Sequence, residues 1–197
     1  MSEPKSFGMW LLQFVALLLL LLALLLWLLM RPKPPHYTIV ELFIPALNNT
    51  NATSLAGLGD QNETISFVLE IKNPNEVSSI YYDDTFLTFY YGEDIAGEKT
   101  IPSFHLGKKK KRKVTDAVNV NAGAWKVILN SIMSNSNAEL KACLVSHFRL
   151  GKRSKHHGIS LQAVFKIGSD GKLSGKNQRI KLHKYSRKWN RKVRRHC

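Results

Sequence analysis

The sequence predicts a mainly β protein, an antiparallel β-sandwich carried behind one N-terminal transmembrane helix. Three observations predict it. Met9 to Met30 is a 22-residue run with 13 Leu, two Trp and, as its only strongly polar side chain, Gln13. Beyond residue 36, segments rich in β-branched and aromatic residues alternate apolar with polar, and turn residues separate them. Only one later segment repeats its apolar residues at helical spacing.

The helix comes first. At a rise of 1.5 Å per residue the run is about 33 Å long, enough for a hydrocarbon core of about 30 Å. Trp10 and Trp27 lie near its ends, where indole rings prefer the membrane interface. A cleaved signal peptide has a shorter apolar stretch and a small-residue exit. Here the exit reads LLWLLMRPKPP, so an uncleaved signal anchor over 9–30 is expected, behind a short cytosolic tail, 1–8. Residues 31–36 form a Pro-rich, stiff and extended spacer.

The β domain is expected over 37–185. YTIVELF (37–43) reads as a strand. ETISFVLEIKN puts Ile65, Phe67, Leu69 and Ile71 on one face and Ser66, Glu70 and Lys72 on the other, a half-buried strand that ends at Asn73-Pro74-Asn75. SIYYDDTFLTFYYG (79–92) is a strand, or two with a bend, and VTDAVNVNAG (114–123) gives a short one. The single later helix is AWKVILNSIMSNS (124–136), through Trp125, Ile128, Leu129 and Ile132. ELKACLVSHFRLG (139–151), GISLQAVFKIG (158–168) and QRIKLHKY (178–185) complete the strands, and 186–197 is a basic C-terminal tail.

Charge is divided along the chain. The net formal charge of +15 resolves into +2 for residues 1–36, −8 for 37–107 and +21 for 108–197. Cys143 and Cys197 are the only cysteines, too few for a zinc site or a disulfide-rich scaffold. A single bridge between them is an option outside the cytosol.

In order along the chain, FIPAL (43–47), NPN (Asn73, Pro74, Asn75), IYYDD (80–84, with Tyr81, Tyr82 and Asp83) and IPSFHLGKKKK (101–111) resemble the plant non-race-specific disease resistance and harpin-induced-like family. With the leading apolar run and Pro-rich exit, the resemblance spans nearly the whole chain, densest over 37–113 and thin after 150. It implies a late-embryogenesis-abundant type-2 domain, a fibronectin/immunoglobulin-like β-sandwich. It also implies a single-pass plasma-membrane protein whose C-terminal domain faces the cell wall. The implied work is plant defence signalling, through a protein partner the sequence does not name, or wall–membrane adhesion. Some relatives end in a hydrophobic tail removed for a lipid anchor, whereas this chain ends KLHKYSRKWNRKVRRHC. It also lacks an Arg-Gly-Asp or Asn-Gly-Asp triplet, which weakens an integrin-like role.

Three N-x-[ST] triplets, at Asn48, Asn51 and Asn62, cluster in a polar loop soon after the apolar run, as glycan acceptors on an external domain would. The charges flanking the helix favour the opposite orientation by one or two units, a weak term for a large domain. Lys108, Lys109, Lys110, Lys111, Arg112 and Lys113 form one basic run, and Arg187, Lys188, Arg191, Lys192, Arg194 and Arg195 a second. Each reads either as solvated surface or as a polyanion-binding patch. Outside a plant cell the acidic polymer at hand is wall polysaccharide, and no nucleic acid is expected.

Asp83-Asp84 with Glu93-Asp94 lack the spacing of a calcium loop and read as solvated acids at a strand end; His156-His157 read as a polar turn. No G-x-S-x-G, H-E-x-x-H or P-loop pattern occurs, and neither a cofactor nor catalysis is expected. The functional expectation is therefore a non-enzymatic extracellular binding or adhesion module. Two alternatives stay open: a lipid-binding or stress-protective domain with a groove between its sheets, or a cytosol-facing domain whose basic tail binds anionic lipid or RNA.

Overall fold

A computed structural model describes residues 4–48, 63–135, 137–174 and 179–184. The chain divides into two compact units, residues 1–33 and 34–197. The first is a single helix, α1 (Pro4–Met30). It begins five residues before the run read from the sequence, because nothing in Pro4–Gly8 breaks a helix and proline is tolerated in a first turn. Its Gly8–Leu28 portion is long and apolar enough to cross a membrane, with none of that surface buried.

The second unit is a sandwich of two antiparallel sheets. Sheet A has the order β6-β2-β1-β9 and sheet B the order β10-β8-β7-β3-β4, with β5 also on β3. In chain order the elements are β1 (His36–Phe43), α2 (Pro45–Asn48), β2 (Thr64–Lys72), β3 (Ile80–Tyr91), β4 (Asp94–Ile101), β5 (Phe104–Leu106), β6 (Lys111–Asn119), α3 (Ala122–Asn135), β7 (Asn137–Leu150), β8 (His156–Gly168), β9 (Ile180–Lys181) and β10 (His183–Lys184).

Alternation decides the core. Ile65, Phe67, Leu69 and Ile71 of β2 are fully buried, and Leu140, Ala142, Leu144 and Phe148 of β7 face them across the sandwich. Trp125, Ile128, Leu129 and Ile132 of α3 join the same core. Asn121 starts that helix: its side-chain oxygen accepts the Gly123 amide at 3.1 Å, and its own amide donates to Ala96 of β4 at 2.8 Å.

Four differences from the sequence reading have physical causes. The hairpin partner of β3 is β4, whose sequence DIAGEKTI is too polar to read as a strand. Gly92, at φ 62°, supplies the two-residue turn between them. At Gly97 an added Cβ would run into the Val118 side chain and the Asn119 carbonyl, so a glycine there lets β4 approach β6. β3 itself stays one strand, with its irregularity at Asp83-Asp84. Those acids are therefore mid-strand rather than at a strand end. Likewise His156-His157 open β8 instead of forming a turn. Residues 178–185 do not make one strand: Ile180 and Lys181 pair with β1, while His183 and Lys184 pair with β8. Leu182 between them is buried, and its amide donates to Tyr37 at 3.0 Å. This short segment thus laces the two sheets together along one side.

Candidate functional site: a basic face on sheet A

The family-type Asn-Pro-Asn stretch is more than a turn. Asn73 is fully buried at the end of β2. Its side-chain amide donates to the carbonyls of Ser78 (2.9 Å), Gly107 (3.0 Å) and Leu106 (3.4 Å), and its Oδ1 accepts the Asn75 amide at 2.9 Å. Its backbone amide donates to Lys110, and the Lys109 amide donates to Asn75, both at 3.0 Å. One buried side chain therefore fixes both loops and delivers the basic run to β6. A buried amide so completely paired is a structural hub.

The aromatic motif is structural as well. Tyr82 is buried and stacks on Phe104 (centroids 4.4 Å), with Tyr37 edge-on at 6.4 Å. The Tyr37 hydroxyl donates to Ser146 at 2.8 Å, and Ser146 shares a second bond of 2.9 Å with Thr85. Burial pushes both tyrosine hydroxyls well above their ordinary ionisation range, so neither serves as a base. Tyr81 packs its ring on His105 at 4.5 Å. Asp83 meets His156 at 3.1 Å and Arg149 at 3.9 Å, while Asp84 accepts the Ser103 amide at 2.8 Å. Glu93 and Asp94 lie at the far end of β3, so the two acidic pairs do not converge. Among the described residues no three His, Cys, Asp or Glu side chains gather as a metal site.

The run at 108–113 is split by the fold. Lys108, Lys109 and Lys110 occupy the loop clamped by Asn73 and Asn75; Lys109, at φ 52°, pairs with Glu76 at 2.6 Å. Arg112 turns its guanidinium over Phe104, 4.6 Å from the ring centroid. Lys111 and Lys113 project from the outer face of sheet A, and both are exposed.

There they meet residues from elsewhere in the chain. His36, Lys72 and Lys111 are direct cross-strand neighbours in one row, and Lys181, Thr38, Glu70 and Lys113 form the next row. Glu70 is the one acid in these two rows; its Oε2 lies 3.6 Å from Lys111 and 3.8 Å from Arg179. Lys72, Lys113 and Lys181 have no ion-pair partner among the described residues. His36 is held below its ordinary pKa by burial first, then by the charges of Lys181 and Lys72. Lys72, Arg179, Lys181 and His36 were missed as partners of the run. The outward phase of Lys72 on β2 was the available signal; the pairing of Ile180 and Lys181 with β1 left none.

Other expected sites fall elsewhere. Cys143 is buried and disulfide-bonded, and Cys197 lies outside the described residues. So do Asn51, Asn62, Arg187, Lys188, Arg191, Lys192, Arg194 and Arg195, while Asn48 ends α2.

Two antiparallel sheets around one core define a β-sandwich, with an apolar helix earlier in the chain. The family model described as "Late embryogenesis abundant protein" matches residues 68–163. The chain is similar to NDR1/HIN1-like proteins. It is 28% identical over 171 residues to Protein NDR1 of Arabidopsis thaliana, covering 81% of this chain and 74% of that one. It is 35% identical over 99 residues to NDR1/HIN1-like protein 26 of the same plant, covering 49% of this chain and 44% of that one. A crystal structure of a protein from Archaeoglobus fulgidus aligns over 53% of this chain and 86% of its own, with a TM-score of 0.38 and 12% identity.

Proposed function

We propose that this protein is a non-enzymatic, plasma-membrane-anchored binding module of plant defence. α1 serves as the signal anchor, and the sandwich stands outside the cell, where its cations hold acidic wall polymer and an unnamed protein partner carries the signal. The likeness to Protein NDR1 supports the defence role. A disulfide at Cys143 supports the outward orientation, because thiols in the cytosol are kept reduced. The same compartment suits glycosylation at Asn48, Asn51 and Asn62.

The lipid-groove alternative needs an apolar channel between the sheets. Instead, side chains of both sheets form one continuous buried cluster. A cleft of about 230 Å³ lies against Val40–Phe43, Lys172 and Leu173, beside β1 rather than between the layers.

Glycosidase treatment of the full-length protein in plant microsomes, with protease protection alongside, tests the proposal. A gel shift abolished by replacing Asn48, Asn51 and Asn62 with Gln, and a domain protected in sealed vesicles, are the expected results. No shift, with the domain digested from the cytosolic side, overturns it.

A further inference from the structure

The clamped loop and the exposed sheet face are two different basic surfaces, although one run of sequence supplies both. Strands in a sheet lie about 4.8 Å apart, and same-face residues along a strand repeat at about 6.8 Å. Lys72, Lys111, Lys113 and Lys181 therefore stand on a fixed grid, joined by Arg179, with His36 between Lys72 and Lys181. Lys72 and Lys111 are directly opposed like charges, an arrangement that destabilises a sheet on its own. A sheet selected only for stability would place an acid at one of them, as Glu70 stands opposite Lys113 in the next row.

We infer that the outer face of sheet A, centred on Lys72, Lys111, Lys113 and Lys181, is a docking surface for a linear polyuronate. The inference rests on the wall-polymer reading above and assigns it to one face. Three features select this occupant. Its cations recur on the strand grid and so present repeated charge to a chain that carries one carboxylate per sugar. In these two rows the cations outnumber Glu70, and Glu41 in the following row is the next acid on the face, so an anion is what completes the basic end. Among the described residues it also lacks an apolar anchor: outside α1 the exposed large hydrophobics described are Val77, Phe86, Ile95, Val127 and Val164, none of them on this face. A surface that inserts into lipid presents Trp, Phe or Leu beside its cations.

The test uses the full chain in phosphatidylcholine nanodiscs and unesterified polygalacturonate as the probe. Binding is expected, weakening steeply as salt screens it. Replacing Lys111, Lys113 and Lys181 together by Gln is expected to weaken it about tenfold or more, and replacing Lys108 and Lys110 by Gln less than about threefold. The triple Arg variant is expected to keep its affinity within about twofold, which separates lost charge from lost fold. Equal losses in both Gln variants, binding of fully methyl-esterified polymer as strong as of the acid form, or failure of the Arg variant overturns the inference. So does stronger retention by phosphatidylserine vesicles than by polymer, which would assign the face to lipid. The outcome is distinguishable from the topology test. An outward domain without polymer binding defeats this face alone, whereas an inward domain defeats the proposed function and leaves the binding result standing.

Discussion

On the outer face of sheet A the paired neighbours are Lys72 with Lys111; on the outer face of sheet B they are Phe86 with Val145 and Thr88 with Cys143. Both sheets obey the same alternation and share one core, yet their second faces have been put to different uses. On sheet B, Tyr90 and Cys143 occupy outward positions and are still about 1% exposed, with Val145 packed against them. Sheet A keeps its cations in water, and three of its lysines have no acid to answer them among the described residues. An outward position buried without a layer of the sandwich above it points to use within the chain. An outward position charged against its own neighbours points to use by something else.

The comparison breaks most completely at the hub that both sheets share. Asn73→Ala removes several buried hydrogen bonds and strands their partners, and should cost about 4 kcal/mol in denaturant unfolding. It should also lower polyuronate affinity, because the loop leading into β6 is no longer fixed. Unchanged stability would show that the 73–79 and 107–110 loops are held by something else.

Cys143→Ser acts on sheet B alone. The expected loss is about 3 kcal/mol in non-reducing conditions, with polymer binding retained. Loss of binding at full stability would mean that the two faces are coupled.

Two tyrosines within the core separate paired from unpaired hydroxyls. Tyr37→Phe should cost about 1 kcal/mol, since it deletes the donor to Ser146. Tyr82→Phe should be neutral or stabilising, because the Tyr82 hydroxyl is buried with no hydrogen-bond partner among the described residues. Thermal melts of the two variants give the sign of each.

Lys111→Gln should produce the smallest effect, a gain of about 0.5 kcal/mol from relief of the Lys72–Lys111 opposition. A measured loss would mean that the pairing of Lys111 with Glu70 outweighs the repulsion. The same face has a titrating reporter. The folded state holds His36 below its ordinary pKa of 6.5 by burial and by Lys181 and Lys72, so its contribution to stability is present above 6.5 and is lost as pH falls toward the folded value. Bound polyuronate should move that value back upward, which NMR titration of the imidazole would read. A stationary His36 would place the polymer elsewhere.

Local pattern alone specifies the apolar helix, the strands β1, β2, β7 and β8, the inward residues of β2 and the buried face of α3, because a period of 2 or 3.6 is written into consecutive residues, whereas the bulge after Ile39 breaks that period in β1. It also marked Asn73-Pro74-Asn75 and the basic run as distinctive. It did not disclose that Asn73 is a hub, since the carbonyls of Leu106 and Gly107 are more than thirty positions away. Nor did it disclose the polar strand β4, which pairs because Gly92 turns the chain back onto β3. The tertiary structure alone decided the basic face. Lys72, Lys111 and Lys181 come from three distant segments, and only strand register brings them into adjacent rows. Register is set by pairing over the whole sheet, so a linear run of lysines could suggest a charge but not the surface that carries it.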